Sequence, residues 1–163
     1  MIRTVAFALL FCLFSPLLVH AWPARVVHVS DGDTVHVEPI QGGDRMKVRL
    51  YGIDCPESRQ DYGPAATGLV NGAALFREVE IEEHGKDRYK RTLAVLHIGD
   101  TTIQDILLES GLAWVYTQYC KIPRCRAWKA KEKAAAKARK GLWREIDGPR
   151  KPVAPWVWRK RAR

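Results

Sequence analysis

Carboxylates and arginines cluster in three short stretches of this 163-residue chain. They are Asp-Gly-Asp-Thr at residues 31–34, the stretch 48–57, and Asp-Arg-Tyr-Lys-Arg at residues 87–91. Hydrolysis of a phosphodiester needs an electrophilic cation, a group that activates water, and fixed positive charges that stabilise the transition state. Asp33 and Asp54 are hard oxygen donors, which suit calcium better than a thiophilic metal. The three stretches therefore contain every kind of group that this chemistry requires.

Taken in order, these stretches resemble the sequence pattern of the staphylococcal nuclease family, over residues 26–143. Each stretch alone is weak support, because Asp-Gly is a common turn and a lone arginine on a strand is usually at the surface. The three in this order and at these separations are specific. The resemblance implies a calcium-dependent nuclease that hydrolyses both DNA and RNA and leaves 3′-phosphate products.

The resemblance also implies a metal site. Calcium would bind the carboxylates of Asp33 and Asp54 and the backbone carbonyl of Cys55. The family has a threonine where this chain has Cys55, a tolerable change because only the main-chain carbonyl would bind. So few protein ligands predict a weak site, with a dissociation constant on the order of 10⁻⁴ to 10⁻³ M.

Three further positions match catalytic residues of the family. Glu57 matches the glutamate that hydrogen-bonds the attacking water, so it would act by taking a proton from that water or by orienting it. Arg49 and Arg91 match the two arginines that contact the scissile phosphate. A planar guanidinium can donate two hydrogen bonds to phosphate oxygens, so lysine would be a poor replacement at either position.

The family's nucleotide pocket is matched less evenly. The matching side chains are Asp87, Arg88, Tyr89 and Leu93, and Tyr116 and Tyr119 lie close to where the family has pocket tyrosines. An aromatic ring can stack on a base without demanding a particular one. The loop after Glu57 is short and lacks much of the family's lysine-rich segment, which predicts a more open rim and leaves substrate preference undecided.

Patterning of the chain predicts the elements that would position these residues. β-branched runs predict a hairpin over residues 24–38, a third strand over 46–51 and a second hairpin over 78–98. Helices are expected over residues 65–76, with Leu69, Ala73 and Phe76 on one face, and over 101–109 and 124–140. This order predicts an α+β domain at residues 22–145: a five-stranded OB-fold β-barrel with about three packed helices.

Positive charge concentrates in the C-terminal part. The net charge is +9, and residues 120–163 hold 16 Lys and Arg against three Asp and Glu. Such a segment suits a polyanion or serves as a solvated, solubilising face. One glycine and three prolines interrupt residues 146–163, namely Gly148, Pro149, Pro152 and Pro155, so we expect a loosely attached tail there. Its Trp156, Trp158 and arginines would add non-specific affinity for nucleic acid or a weak membrane or envelope contact.

The N-terminus predicts a secretory signal peptide at residues 1–21, with an apolar run of 15 residues at 5–19 and cleavage near Ala21. A membrane span needs about 20 apolar residues, so an uncleaved anchor is the weaker alternative. The mature protein would be secreted or periplasmic. In that oxidising space Cys120 and Cys125, which bracket a short loop, are expected to form a disulfide and Cys55 to stay a packed thiol.

Two rival functions remain open at this point. One is a catalytically inactive OB-fold module that only binds nucleic acid, and the other is a cationic protein whose tail binds the cell envelope. The joint presence of Asp33, Arg49, Asp54, Glu57 and Arg91 favours the enzyme, because a decayed copy need not keep all five. We expect a monomer with DNA and RNA as substrates and no obligate protein partner.

Overall fold

The computed structural model describes residues 21–149 and 151–161. Of the predicted signal peptide only Ala21 is among them, as the first residue of a strand, so that prediction lies outside the described residues. Within the described residues no helix is both long and apolar enough to cross a membrane.

Strands make up the first half of the described chain. They are β1 (Ala21–Asp31), β2 (Thr34–Pro39), β3 (Met46–Leu50), β4 (Ile53–Asp54), β5 (Glu78–Lys86), β6 (Thr92–Ile98), β7 (Thr101–Thr102) and β8 (Trp114–Val115). Strand β1 pairs antiparallel with β2 and β5, β2 with β3, and β5 with β6, while a parallel pairing of β3 with β6 closes the sheet. The predicted α+β fold with a five-stranded OB-fold barrel is confirmed.

Helices pack on the strands of this barrel. They are α1 (Gly63–Ala74), α2 (Ile103–Glu109), α3 (Arg124–Lys137) and α4 (Pro155–Arg161), with a 3₁₀ helix at Gly141–Glu145 between the last two. Helices α1 to α3 lie where the sequence predicts about three helices. Helix α4 lies in the segment that the sequence predicts to be an irregular tail.

The predicted apolar face of α1 is confirmed only in part: Leu69 and Ala73 are partly buried against the core, beside a fully buried row. Ala66, Val70 and Ala74 are fully buried and spaced by four residues, so these small side chains bring the helix close to β1. Phe76 is 71% exposed, and its assignment to the buried face is wrong. The helix ends at Ala74, and Phe76 follows it with a left-handed backbone (φ 62°).

Helix α3 contributes Trp128 to the hydrophobic core. Its indole is fully buried, and Nε1 donates to Oδ1 of Asp105 in α2 (3.1 Å). A disulfide joins Cys120, which precedes α3, to Cys125 in the first turn of that helix. Cys55 is a buried free thiol that donates to the carbonyl of Gly32 (3.2 Å).

The C-terminal segment packs on the domain, so the prediction of a loosely attached tail is wrong for residues 146–149 and 151–161. Ile146, Ala154 and Trp156 pack against a second apolar cluster of Trp114, Ala135, Leu142 and Trp143. Pro155, read from the sequence as a break, is the first residue of α4, where a proline's missing N–H and fixed φ are favourable. The boundary at residue 146 itself stays a prediction.

Candidate active site

The turn between β1 and β2 brings Asp33 against the second acidic stretch. Its amide donates to Oδ1 of Asp31 (3.0 Å), and its own Oδ2 accepts from the amide of Cys55 (2.7 Å). A Cβ on Gly32 would lie 2.8 Å from Cβ of Cys55 and 2.7 Å from Cβ of Ala66. Only glycine therefore lets this turn pack so closely on the segment after β4.

Arg49 joins the two aspartates that the sequence predicts to bind metal. Its Nη1 lies 2.8 Å from Oδ1 of Asp33, and its Nη2 donates to Oδ1 of Asp54 (2.7 Å). The side chain of Asp54 is 1% exposed, and those of Asp33 and Arg49 are also largely buried. In register, Arg49 lies opposite Thr34 of β2 and Leu93 of β6, where the barrel closes. Barrel closure thus places this cluster.

Burial sets the protonation of the cluster. It raises the pKa of Asp33 to about 7, and the charges of Asp31 and Asp54 add to that rise while Arg49 opposes it. Burial works against the charged form of Arg49, but the two aspartates outweigh it and the pKa of Arg49 is raised. With a pKa of about 7, Asp33 is partly protonated at neutral pH, and a cation bound beside it would favour its charged form.

Glu57 lies in the loop between β4 and α1, and backbone contacts fix it. Its amide donates to Oε1 of Gln60 (3.2 Å), and its carbonyl accepts from the Gln60 amide (2.8 Å). Gly63 lies so close that a Cβ on it would be 2.0 Å from the Glu57 carbonyl oxygen. The Glu57 side chain is 35% exposed, so it can meet water while its backbone is held.

Arg159 of α4 is a site residue that the sequence does not predict. Its Nη2 donates to Oδ2 of Asp54 (2.7 Å), and its Nη1 contacts both Oδ1 of Asp54 (3.2 Å) and Oε1 of Glu57 (2.6 Å). Burial opposes its charge, but these hydrogen bonds raise its pKa above the ordinary arginine value. The signal was present in Pro155 as a helix start and in the three-residue spacing from Trp156 to Arg159, which places both on one helix face.

Arg91 belongs to a second group of side chains after β5. Oδ1 of Asp87 accepts from the amides of Tyr89 (2.8 Å) and Arg91 (3.0 Å), and Oδ2 accepts from Nε of Arg91 (2.7 Å). The guanidinium groups of Arg88 and Arg91 lie over the Tyr89 ring, at 4.7 and 5.6 Å from its centre. Tyr89 itself is 63% exposed.

Within the described residues, no hydrogen bond or ion pair joins residues 87–91 to the cluster of Asp33, Arg49 and Asp54. The strand register places Leu93 of β6 opposite Arg49, however. Arg91 directly precedes β6, so the two groups lie near the same end of this strand. The predicted site residues thus form two neighbouring groups.

Of the two tyrosines after β8, Tyr116 lies beside Asp54 and is partly buried, while Tyr119 is 57% exposed. Strand β8 pairs Trp114 with Asp54, which brings Tyr116 to the same edge. The Tyr116 ring stacks on Trp156 of α4, with centres 4.9 Å apart and planes 9° apart, and meets Tyr119 edge-on at 4.7 Å. Burial and the charge of Asp54 raise the pKa of Tyr116, and Tyr119 adds to the rise.

The donors at Asp33, Asp54 and Glu57 fit a hard divalent cation. All are carboxylate oxygens, and Asp54 and Glu57 already hold a cationic group, the guanidinium of Arg159. In the arrangement described for residues 21–149 and 151–161, no three His, Cys, Asp or Glu side chains are grouped as a metal site. The assignment of Asp33, Asp54 and the Cys55 carbonyl as ligands therefore stays a prediction.

Residues 47–145 match the family described as staphylococcal nuclease homologue, which is more than half of the chain. The chain belongs to the staphylococcal nuclease family. A protein of Escherichia coli O157:H7 with the name uncharacterized endonuclease is 33% identical over 153 residues, covering 89% of this chain and 94% of that protein. A micrococcal nuclease of Shigella flexneri is 33% identical over 171 residues, covering 98% and 92%.

A further uncharacterized endonuclease, from Haemophilus influenzae, is 35% identical over 152 residues, covering 93% of this chain and 81% of that protein. Membership of the staphylococcal nuclease family, with relatives matched over nearly their whole length, makes this protein an endonuclease that hydrolyses phosphodiester bonds. Nucleic acid is its substrate. Nucleases of this family depend on a metal ion.

Proposed function

We propose that the protein is a secreted or periplasmic, calcium-dependent endonuclease that cuts both DNA and RNA and leaves 3′-phosphate ends. One observation carries the proposal: a single nitrogen, Nη1 of Arg159, contacts both Asp54 and Glu57. The carboxylate assigned to calcium and the carboxylate assigned to water therefore face the same point. A cation and an attacking water placed there would be adjacent, as in-line hydrolysis requires.

Calcium bound by Asp33 and Asp54 would supply Lewis-acid polarisation of the phosphate. Glu57 holds the attacking water with its carboxylate and accepts a proton from it. Its backbone contacts to Gln60 and the close approach of Gly63 keep that carboxylate in one place. Partial exposure lets water reach it from solvent.

The two arginines have separate tasks. Arg49 keeps Asp33 and Asp54 at a fixed separation. Its positive charge would stabilise the negative charge that develops on a phosphate bound beside them. Arg91 uses Nε on Asp87, so the fixed carboxylate orients its terminal nitrogens. Those nitrogens are the donors proposed to hold the scissile phosphate.

Exposed aromatic and basic side chains support binding of both nucleic acids. Tyr89, under the guanidinium groups of Arg88 and Arg91, offers a ring for stacking next to positive charge. Tyr119 is also largely exposed. Stacking and charge do not distinguish bases, and nothing in these contacts requires or excludes a 2′-hydroxyl. This supports action on both DNA and RNA.

Secretion is proposed from two features of the chain. The N-terminal apolar run has the length of a signal peptide rather than of a membrane span. The disulfide between Cys120 and Cys125 is the kind of bond that persists outside the reducing cytosol. A cytoplasmic location of the tagged chain in cell fractionation would contradict this part of the proposal.

The experiment that tests the catalytic assignment compares Glu57→Gln with wild type and with Glu38→Gln, an exposed position on β2. Release of acid-soluble nucleotides from denatured DNA and from RNA is measured with calcium, with other divalent metals and with chelator. We expect calcium-dependent release that falls about 10²- to 10⁴-fold in Glu57→Gln and is unchanged in Glu38→Gln. Undiminished release by Glu57→Gln overturns the role of Glu57, and cleavage with another metal but not calcium overturns the choice of ion.

A further inference from the structure

Residues 153–161, called here the C-terminal strap, run from the loop after Glu57 across the candidate active site. At its start the carbonyl of Val153 accepts a hydrogen bond from Nε2 of Gln60. In its middle Trp156 stacks on Tyr116, and near its end Arg159 bonds Asp54 and Glu57. Each contact falls on a residue that the proposed function uses or that positions such a residue.

The guanidinium of Arg159 occupies the position of a cation. Both oxygens of Asp54 accept from it, and Oε1 of Glu57 accepts as well. A carboxylate with both oxygens bonded to a guanidinium has little remaining capacity for a second cation in the same plane. A divalent ion that binds Asp54 on this side must therefore displace Arg159. The same guanidinium occupies Oε1 of Glu57, one of the two oxygens that could hold the attacking water.

Trp156 covers the ring of Tyr116, on which a nucleotide base would stack. Its indole lies parallel to the Tyr116 ring at 4.9 Å, the arrangement of a base stacked on an aromatic side chain. Trp156 also meets Trp114 edge-on at 6.5 Å, so the indole is held from two sides. The strap thus takes the place of a cation at one point and of a base at the other.

We propose that the strap is a tethered competitive inhibitor, which divalent cation and nucleic acid together displace from the active site. This inference rests on the proposed function, because it takes the calcium and water positions from it. It adds a regulatory step: the nuclease is closed when calcium is scarce and opens as calcium and substrate bind.

Three features allow the strap to leave the active site. Helix α4 has only seven residues, too few for a stable helix without packing. Arg159 is 39% exposed, so water can compete for its hydrogen bonds. A cleft of about 670 Å³ lies beside the strap, lined by Val153 and Trp158 on one side and by Arg59 and Tyr62 on the other. The strap is therefore held at separate points and not along its whole length.

Closure lowers the apparent calcium affinity by the fraction of molecules that are open. Removal of the Arg159 side chain removes charge-assisted hydrogen bonds that only the closed state makes. We expect Arg159→Ala to bind calcium about 5- to 10-fold more tightly than wild type. Trp156→Ala removes the other contact without changing any charge, so it should tighten calcium binding in the same direction.

Lys160→Ala is the matched control. Lys160 is exposed on the same helix, and its replacement removes one positive charge, as Arg159→Ala does. An effect of net charge alone would appear equally in Lys160→Ala and Arg159→Ala. An effect of closure would appear in Arg159→Ala and Trp156→Ala and not in the control.

The test titrates calcium chloride into the full mature chain and the three variants by calorimetry. Hydrogen exchange is followed at the amides of Val157 and Trp158, which donate to the carbonyl of Ala154. We expect tighter calcium binding in Arg159→Ala and Trp156→Ala, and faster exchange at both amides when calcium and denatured DNA are added to wild type. Cleavage of DNA at limiting calcium should rise in the same two variants.

Three results would overturn the inference. Equal calcium affinities of Arg159→Ala and Lys160→Ala would show that the strap does not compete with calcium. The proposed nuclease function would not be affected by that result. An unchanged calcium affinity with slower cleavage in Arg159→Ala would make Arg159 a phosphate contact. Absence of both calcium binding and cleavage in all four proteins would instead overturn the proposed calcium dependence, and the strap would lose its role with it.

Discussion

The carbonyl oxygen of Glu57 fills the space that a side chain on Gly63 would need. A Cβ at Gly63 would lie 2.0 Å from this oxygen and 2.8 Å from the Glu57 carbonyl carbon. The clash is with backbone, which cannot rotate away as a side-chain end can. The position of Glu57, the residue proposed to hold the attacking water, therefore depends on a glycine six residues later in the chain.

Gly63→Ala should for this reason lower the cleavage rate by more than any loss of folded protein in urea unfolding would explain. The loop must move to admit the methyl group, and a displacement of about 1 Å at a catalytic group can cost about 10²-fold in rate. Cleavage rate and urea unfolding are measured together. Gly68→Ala in the same helix is the control, since a Cβ there meets nothing within 4 Å, and it should raise stability by up to about 1 kcal/mol. Normal cleavage by Gly63→Ala would refute the proposed positioning.

Arg49→Lys tests whether the fork of the guanidinium is required. Arg49 contacts Asp33 and Asp54 through two different nitrogens, and a single ammonium cannot match both directions from the same position. We expect a loss of about 1 to 3 kcal/mol in the free energy of unfolding, because one buried carboxylate loses its partner. Equilibrium unfolding in urea measures it, with Arg25→Lys as control at an exposed ion pair, where little change is expected.

Acid stability should depend on Glu82, outside the active site. Burial alone would raise its pKa, but hydrogen bonds from His97 and His84 and the charge of Arg124 lower it below the ordinary value. A carboxyl whose pKa is lower in the folded state stabilises the protein above its unfolded pKa, and this contribution is lost as pH falls through the folded pKa. The free energy of unfolding of wild type should therefore fall steeply below about pH 4.5.

Glu82→Gln should be less stable at pH 7, by about 1 kcal/mol, and should show a shallower decline in acid. The measurement is urea unfolding between pH 3 and 7. Glu80→Gln, at an exposed position of the same strand, is the control and should follow the wild-type profile. Parallel profiles for wild type and Glu82→Gln would show that Glu82 does not supply the pH dependence.

Local patterns in the sequence predicted the barrel well, since alternation and turns are local properties that tertiary packing reinforces here. The Asp-Gly-Asp turn and the Asp54 stretch came together as the resemblance implied, because barrel closure through β3 and β6 leaves little freedom. The predicted face of α1 was wrong at Phe76, which follows the end of the helix and is exposed. Close approach to β1 instead required Ala66, Val70 and Ala74.

Local patterns could place Arg159 on the same helix face as Trp156, but they could not predict its contact with the active site. It lies 102 residues after Glu57 in sequence, and only the packing of Trp156 on Trp114 and Tyr116 brings it to the site. A run of tryptophan, proline and basic residues is typical of an irregular tail when it is read without its packing partners. The contact depends on the second apolar cluster, which forms from distant parts of the chain.

The disulfide between Cys120 and Cys125 should stabilise the segment that supports Asp54. A Cβ on Gly52 would lie 2.6 Å from Sγ of Cys120, and the Gly52 carbonyl accepts from the amide of Tyr116 (2.8 Å), so this loop lies directly against the chain before β4. The bond closes a short loop, because its cysteines have a sequence separation of five. Such a loop predicts a stabilisation of about 2 kcal/mol, lost on reduction.

Urea unfolding of wild type with and without reductant measures that loss, and the double variant Cys120→Ser with Cys125→Ser should match reduced wild type under both conditions. The variant serves as its own control, because reductant has no disulfide to break in it. Cleavage by the folded variant should continue, since neither cysteine contacts Asp33, Asp54 or Glu57 among the described hydrogen bonds. Equal stability of oxidised and reduced wild type would show that packing around Trp128, and not the covalent bond, holds this loop.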